Sequence, residues 1–141
     1  MCVAHSVEMS VARSTMGNDG TEEMTMRYLC LLYVNEDTLP GPGSPEFAEV
    51  AQANIAATKE MAAAGVLVDS APLHRTRSAT TLRIVDDAPV LTDGPYAELK
   101  EQLGGYYLLE CADFDEALSW AKRIPAARIG AVEVRPLLEM G

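Results

Sequence analysis

The seven residues from Tyr28 to Val34 are apolar without a break. A strand with one face in water alternates apolar and polar side chains, so an unbroken run marks a strand covered on both faces and central in its sheet. Whatever this chain folds into must place cover on each side of that strand. With 141 residues it forms one domain, large enough to bury roughly two thirds of its unfolded surface around a single core.

The remaining elements follow in order. Met1 to Thr25 is rich in Ser, Thr, Gly, Asn and Met without apolar periodicity, and reads as a poorly ordered arm (1–25) ahead of the domain proper (26–141). After the inner strand, Asn35 to Gly43 is a loop, and its length suits the mouth of a cleft. Ser44-Pro45-Glu46 is a helix start: Ser44 can cap, Pro45 costs nothing at the first position, and Glu46 meets the positive end of the dipole. That helix is expected from Pro45 to about Ala64, with Phe47, Val50, Ala51, Ile55, Thr58, Met61 and Ala62 facing the sheet and Gly65 ending it.

Val66 to His74 reads as a second strand that Pro72 confines to an edge or bends. Thr80 to Val85 and Ala88 to Thr92 flank Asp86-Asp87 as a hairpin. A clipped helix from Tyr96 to Leu103 is expected next, stopped by Gly104-Gly105, and then a strand from Tyr106 to Cys111. Asp113 and Glu116 open a last helix in which Phe114, Ala117, Leu118, Ala121 and Ile124 are the buried stripe; Pro125 closes it. Trp120 widens that stripe as core or interface. Ala131 to Leu138 is the final strand.

Strand, helix, strand, hairpin, strand, helix, strand is a split βαβ order, an α+β fold with an antiparallel sheet and two helices on one face. The other face is then bare. Because Tyr28–Val34 is apolar on both sides, the expected cover is a second copy of the chain, giving a homodimer.

Composition excludes several functions. A net charge of −10 lacks the basic footprint that phosphate backbones require, so no nucleic-acid partner is expected. Cys2, Cys30 and Cys111 have neither metal-ligand spacing nor an even disulfide count and read as reduced thiols. No apolar run approaches the roughly 20 residues of a membrane span, and the start has no secretory pattern, so the expectation is a cytoplasmic protein without a membrane partner. Phosphate-cradling, dinucleotide and nucleophile-elbow motifs are absent from the sequence. His74 is the single histidine after residue 26, so no metal and no cofactor are expected.

The passage Asp93-Gly94-Pro95-Tyr96-Ala97-Glu98-Leu99-Lys100-Glu101-Gln102-Leu103-Gly104-Gly105-Tyr106 carries more than fold information. It resembles the DGPF proteins, a branch of the YCII-related domain family, with Tyr96 at the aromatic position. The resemblance runs from Arg27 to about Leu137 through Ala79-Thr80-Thr81-Leu82-Arg83, Ile124-Pro125-Ala126-Ala127-Arg128 and Val134-Arg135-Pro136. It implies a ferredoxin-like sheet in a dimeric α+β barrel, with no established reaction. The family pairs an aspartate with a histidine near the start of the first helix; Ser44 to Met61 contains none, so the resemblance carries over only the aspartate.

Asp93 is therefore the catalytic candidate, and two roles stand open for it. Its carboxylate can accept backbone N–H bonds from the following turn and be structural. Alternatively, partial burial raises its pKa and makes it a general base. His74 is the substitute for the missing histidine. Arg75, Arg83, Arg128 and Tyr96 are candidate ligand contacts, since Arg75, Arg77 and Arg83 make a positive spot on an acidic chain, suited to a carboxylate or phosphate; Arg128 and Arg135 either line a cleft or pair with acids such as Glu133. Two functions compete. One is a cofactor-free acid–base enzyme, a lyase or isomerase type acting on a small anionic or aromatic metabolite. The other is a non-catalytic module binding a small ligand or a protein in a regulatory circuit, since DGPF-like proteins are often associated with sigma-factor-type regulators.

Overall fold

The computed structural model describes residues 13–16 and 22–139. The expectations for residues 1–12 and 17–21, including Cys2, lie outside them. Seven strands and three α-helices are described: β1 Arg13–Met16, β2 Glu22–Val34, α1 Pro45–Ala63, β3 Leu67–Pro72, β4 Thr80–Val85, β5 Ala88–Asp93, β6 Gln102–Cys111, α2 Phe114–Ala121, α3 Ala126–Ile129 and β7 Ala131–Pro136. Strand β2 starts at Glu22 and pairs antiparallel with β1, Thr25 opposite Arg13 and Glu22 opposite Met16.

Tyr28–Val34 is the inner strand, as its unbroken apolarity requires. It is flanked antiparallel by β6 (Tyr28 opposite Leu109, Cys30 opposite Tyr107) and by β7 (Cys30 opposite Val134). Strand β3 pairs with β6 only and is the edge that Pro72 marks. The order β7-β2-β6-β3, all antiparallel, is compatible with a ferredoxin-like α+β fold.

The two faces of this sheet differ. Tyr28, Cys30, Tyr107, Leu109 and Cys111 form one buried cluster with Met61 of α1 and with Ala117, Ala121 and Ile124 in and beside α2, so the helices share one face. Leu29, Leu31 and Leu108 alternate onto the opposite face and are only half-buried.

Caps set the helix ends. The Ser44 hydroxyl accepts from Phe47 N at 3.1 Å, and Gly65 at φ +78° lets the chain turn out of α1. At α2 the Asp113 carboxylate accepts from Glu116 N at 2.8 Å, while the Glu116 carboxylate accepts from Ala112 N at 2.6 Å, one residue beyond the reciprocal partner Asp113 N. Pro125 does not close a continuous helix. The chain turns after Ala121, and Pro125 caps the start of α3.

The clipped helix is not formed. Residues 94–101 are irregular, and Leu103-Gly104-Gly105 belongs to β6. A two-turn helix is marginal in water, whereas extended backbone here pairs with β2 and β3 at once. Gly105 permits this because a Cβ there would meet the Ala71 carbonyl oxygen at 2.9 Å. The hairpin β4–β5 turns through Asp86 and Asp87, both at positive φ, and forms a separate two-stranded sheet.

Candidate functional site

Helix α1 is fastened at one end only. Met61 is completely buried and Ala57 nearly so, while Phe47 and Ile55, both expected on the buried face, are 43% and 54% exposed. The face toward the sheet is alanine-rich and interrupted by Asn54 and Thr58, so it has little bulk with which to close on the strands. The gap is a cavity of about 820 Å³. Its walls are Val50, Ala51, Asn54, Ile55 and Thr58 of α1, Leu32 and Val34 of β2, Ser70 to Pro72 of β3, Gly104 to Tyr107 of β6, and Ala126 and Ile129 of α3. The size and the largely apolar lining are those of a small-molecule pocket.

Besides Asn54, Lys59 and Ser70, two hydrogen-bonded polar groups border this cavity. At the back, Thr58 Oγ1 and Tyr107 Oη lie 3.1 Å apart, and Thr58 donates to the Asn54 carbonyl at 2.8 Å. At the mouth, Arg75 Nη1 donates to the Glu36 carbonyl at 2.8 Å. The Glu36 carboxylate accepts from Thr76 N at 2.9 Å and Thr76 Oγ1 at 2.8 Å, and Glu36 N donates to Gln102 Oε1 at 2.9 Å. The loop after β2 is thereby tied to the β3–β4 connection and to β6. Two residues of this loop, Leu39 and Pro40, line the cavity.

Of the residues singled out in the sequence, Arg75 alone lines this cavity. His74 beside it is exposed. Asp93 ends β5, is exposed, and has no side-chain hydrogen bond among the described residues. The adjoining turn is held instead by Gly94 N donating to the Ala79 carbonyl at 2.7 Å and by Thr81 Oγ1 donating to the Gly94 carbonyl at 2.9 Å. Arg83 and Tyr96 come together, the guanidinium 5.1 Å from the ring centroid, while the register of the hairpin puts Arg83 and Asp93 on opposite faces of it. Arg128 is exposed in α3, and Arg135 pairs with Glu133 at 3.9 Å. The residues that line the cavity beside Arg75, chiefly Asn54, Thr58, Lys59 and Tyr107, were missed. The available signal was polar Asn54 and Thr58 four residues apart on an otherwise small, apolar helix face.

Neither described cysteine supports nucleophilic chemistry. Burial pushes the Cys30 thiol up to about 11, and burial together with nearby acids pushes Cys111 up to about 12. Both lie under the helices, outside the cavity lining. Among the described residues, no group of three or more His, Cys, Asp or Glu side chains could hold a metal, and no helix is long and apolar enough to cross a membrane.

The chain is 39% identical over 114 residues to an uncharacterized protein of Rhizobium meliloti (strain 1021), an alignment covering 79% of this chain and 92% of the relative. Residues 26–141, which include every element from the inner strand onward, match the YCII-related domain. By this relative and by that match, the chain belongs to the YCII-related domain family.

Proposed function

We propose that this protein binds a small, largely apolar molecule in the cleft between α1 and the sheet, and that it works as a homodimer closed over the bare sheet face. The observation that carries the reading is the 820 Å³ cavity, whose walls come from α1, three strands and α3 rather than from one loop. Pairing of the bare faces, as in a dimeric α+β barrel, gives Leu29, Leu31 and Leu108 the second cover that the inner strand calls for. The Asp93-Gly94-Pro95-Tyr96 passage supports assignment to the DGPF branch, and two free buried thiols suit a reducing, cytoplasmic setting.

The test uses the neutral apolar fluorophore N-phenyl-1-naphthylamine. Wild-type protein is expected to bind it saturably, and Ala51→Trp, which fills the cavity from α1, to lose binding with its circular dichroism unchanged. Equal binding by both proteins contradicts the reading.

Acid–base catalysis by Asp93 is the second reading. What favours it is an exposed carboxylate without a hydrogen-bond partner among the described residues, three positions before Tyr96, whose ring meets the Arg83 guanidinium. His74 would stand in for the family's histidine.

A further inference from the structure

We infer that the ligand of the cleft is an amphipathic monoanion, a carboxylate on an apolar body, with Arg75 as its anchor; this rests on the cavity reading above and specifies the ligand class. The charge of the lining runs against that of the molecule. The whole chain carries −10, yet the cavity is lined by Lys59 and Arg75 with no Asp or Glu. Among the described residues neither cation is in an ion pair.

The neighbouring acid does not neutralise Arg75. Glu36 offers it a backbone carbonyl, and the Glu36 carboxylate is taken by Thr76 N and Oγ1. That single bond holds the half-buried guanidinium at the mouth and leaves most of its five donors for a two-pronged grip on a carboxylate. The remaining wall, from Val34, Ala51, Ile55 and Ile129, is apolar and demands an apolar body behind the charged head. With the Thr58 proton given to the Asn54 carbonyl, Tyr107 Oη donates to Thr58 Oγ1, so both hydroxyl protons at the back of the cleft are used within the chain.

Decanoate, decanol and decyltrimethylammonium share one tail length and differ in head group, which isolates the charge. Titration calorimetry with the full chain is expected to give decanoate at least tenfold tighter binding than decanol, and decyltrimethylammonium the weakest. Arg75→Gln should erase the decanoate advantage while leaving decanol affinity within twofold, and Arg75→Lys should keep part of it. Raising salt from 50 to 500 mM should weaken decanoate alone, a readout that needs no variant. Equal affinity for decanoate and decanol in wild type, or an undiminished ratio in a folded Arg75→Gln, overturns the assignment of an anion. No binding of any of the three, or binding indifferent to Ala51→Trp, overturns the cavity reading and the assignment with it.

Discussion

Thr58 of α1 and Tyr107 of β6 place their hydroxyl oxygens 3.1 Å apart at the line where the core ends and the cavity begins. On the core side Met61 is fully buried; on the cavity side Ile55 is largely exposed. This bond joins the half-fastened helix to the sheet. Thr58→Val and Tyr107→Phe are each expected to cost about 1 kcal/mol, with a coupling of about 0.5–1.5 kcal/mol in a double-mutant cycle read by urea unfolding. A coupling of zero would mean that the helix is held by apolar contact alone.

Strand β7 depends on Gly130. A Cβ at that position would lie 2.0 Å from the Tyr33 carbonyl oxygen, which is backbone and cannot swing aside. Gly130→Ala must displace β7 from β2 and is expected to cost about 1–3 kcal/mol or more, a fall of several degrees in Tm by calorimetry. An unchanged Tm contradicts the close approach.

The two buried thiols make stability fall at alkaline pH. An unfolded thiol loses its proton near its ordinary value of 9.0, whereas Cys30 and Cys111 in the folded chain keep theirs to about 11 and about 12. Above pH 9 the unfolded state therefore binds fewer protons than the native one. Stability complete below pH 9 is lost at up to about 1.4 kcal/mol per pH unit per thiol as pH rises toward 11. Denaturant midpoints between pH 8 and 10.5 check the sign, and in a Cys2→Ser background the native protein should resist iodoacetamide at pH 8 until unfolded. Rapid labelling of the folded protein would place the thiols elsewhere.

Asp93 forms no side-chain hydrogen bond among the described residues, so Asp93→Asn is expected to change unfolding free energy by no more than about 0.5 kcal/mol and to leave the oligomeric state intact. Marked destabilisation would make this carboxylate architectural. If turnover of any metabolite is found, this variant separates base catalysis from binding: lost turnover with retained binding supports the former.

The sheet's bare face gives a further expectation. Leu31→Lys, on the face opposite the helices, should convert the homodimer proposed above to a monomer in sedimentation velocity. A wild-type protein that sediments as a monomer contradicts the pairing.

Much of the frame was legible because its signals are local and strong. The unbroken Tyr28–Val34 run, the Ser44-Pro45 start, the Asp86-Asp87 turn and the edge marked by Pro72 each report a backbone constraint that tertiary contacts did not overrule. The segment after Pro95 was misread because Gly104-Gly105 serves two opposite ends. The pair stops helices, and it also lets strands approach closely; only the nearness of Ala71 decides between them. The site was hardest to see. A cavity arises where side chains are too small to fill space, and Arg75, adjacent to His74 in sequence, differs from it only in where the turn after β3 points. No spacing rule carries that information.

The central claim is that the gap beneath α1 is a binding site, and methyl-resolved NMR of the full chain titrated with N-phenyl-1-naphthylamine tests it most directly. Saturable shifts at Ala51, Ile55 and Ala71, with Leu29, Leu31 and Leu108 unmoved, are the expected result. Shifts confined to those three leucines, or none at any methyl, would contradict it.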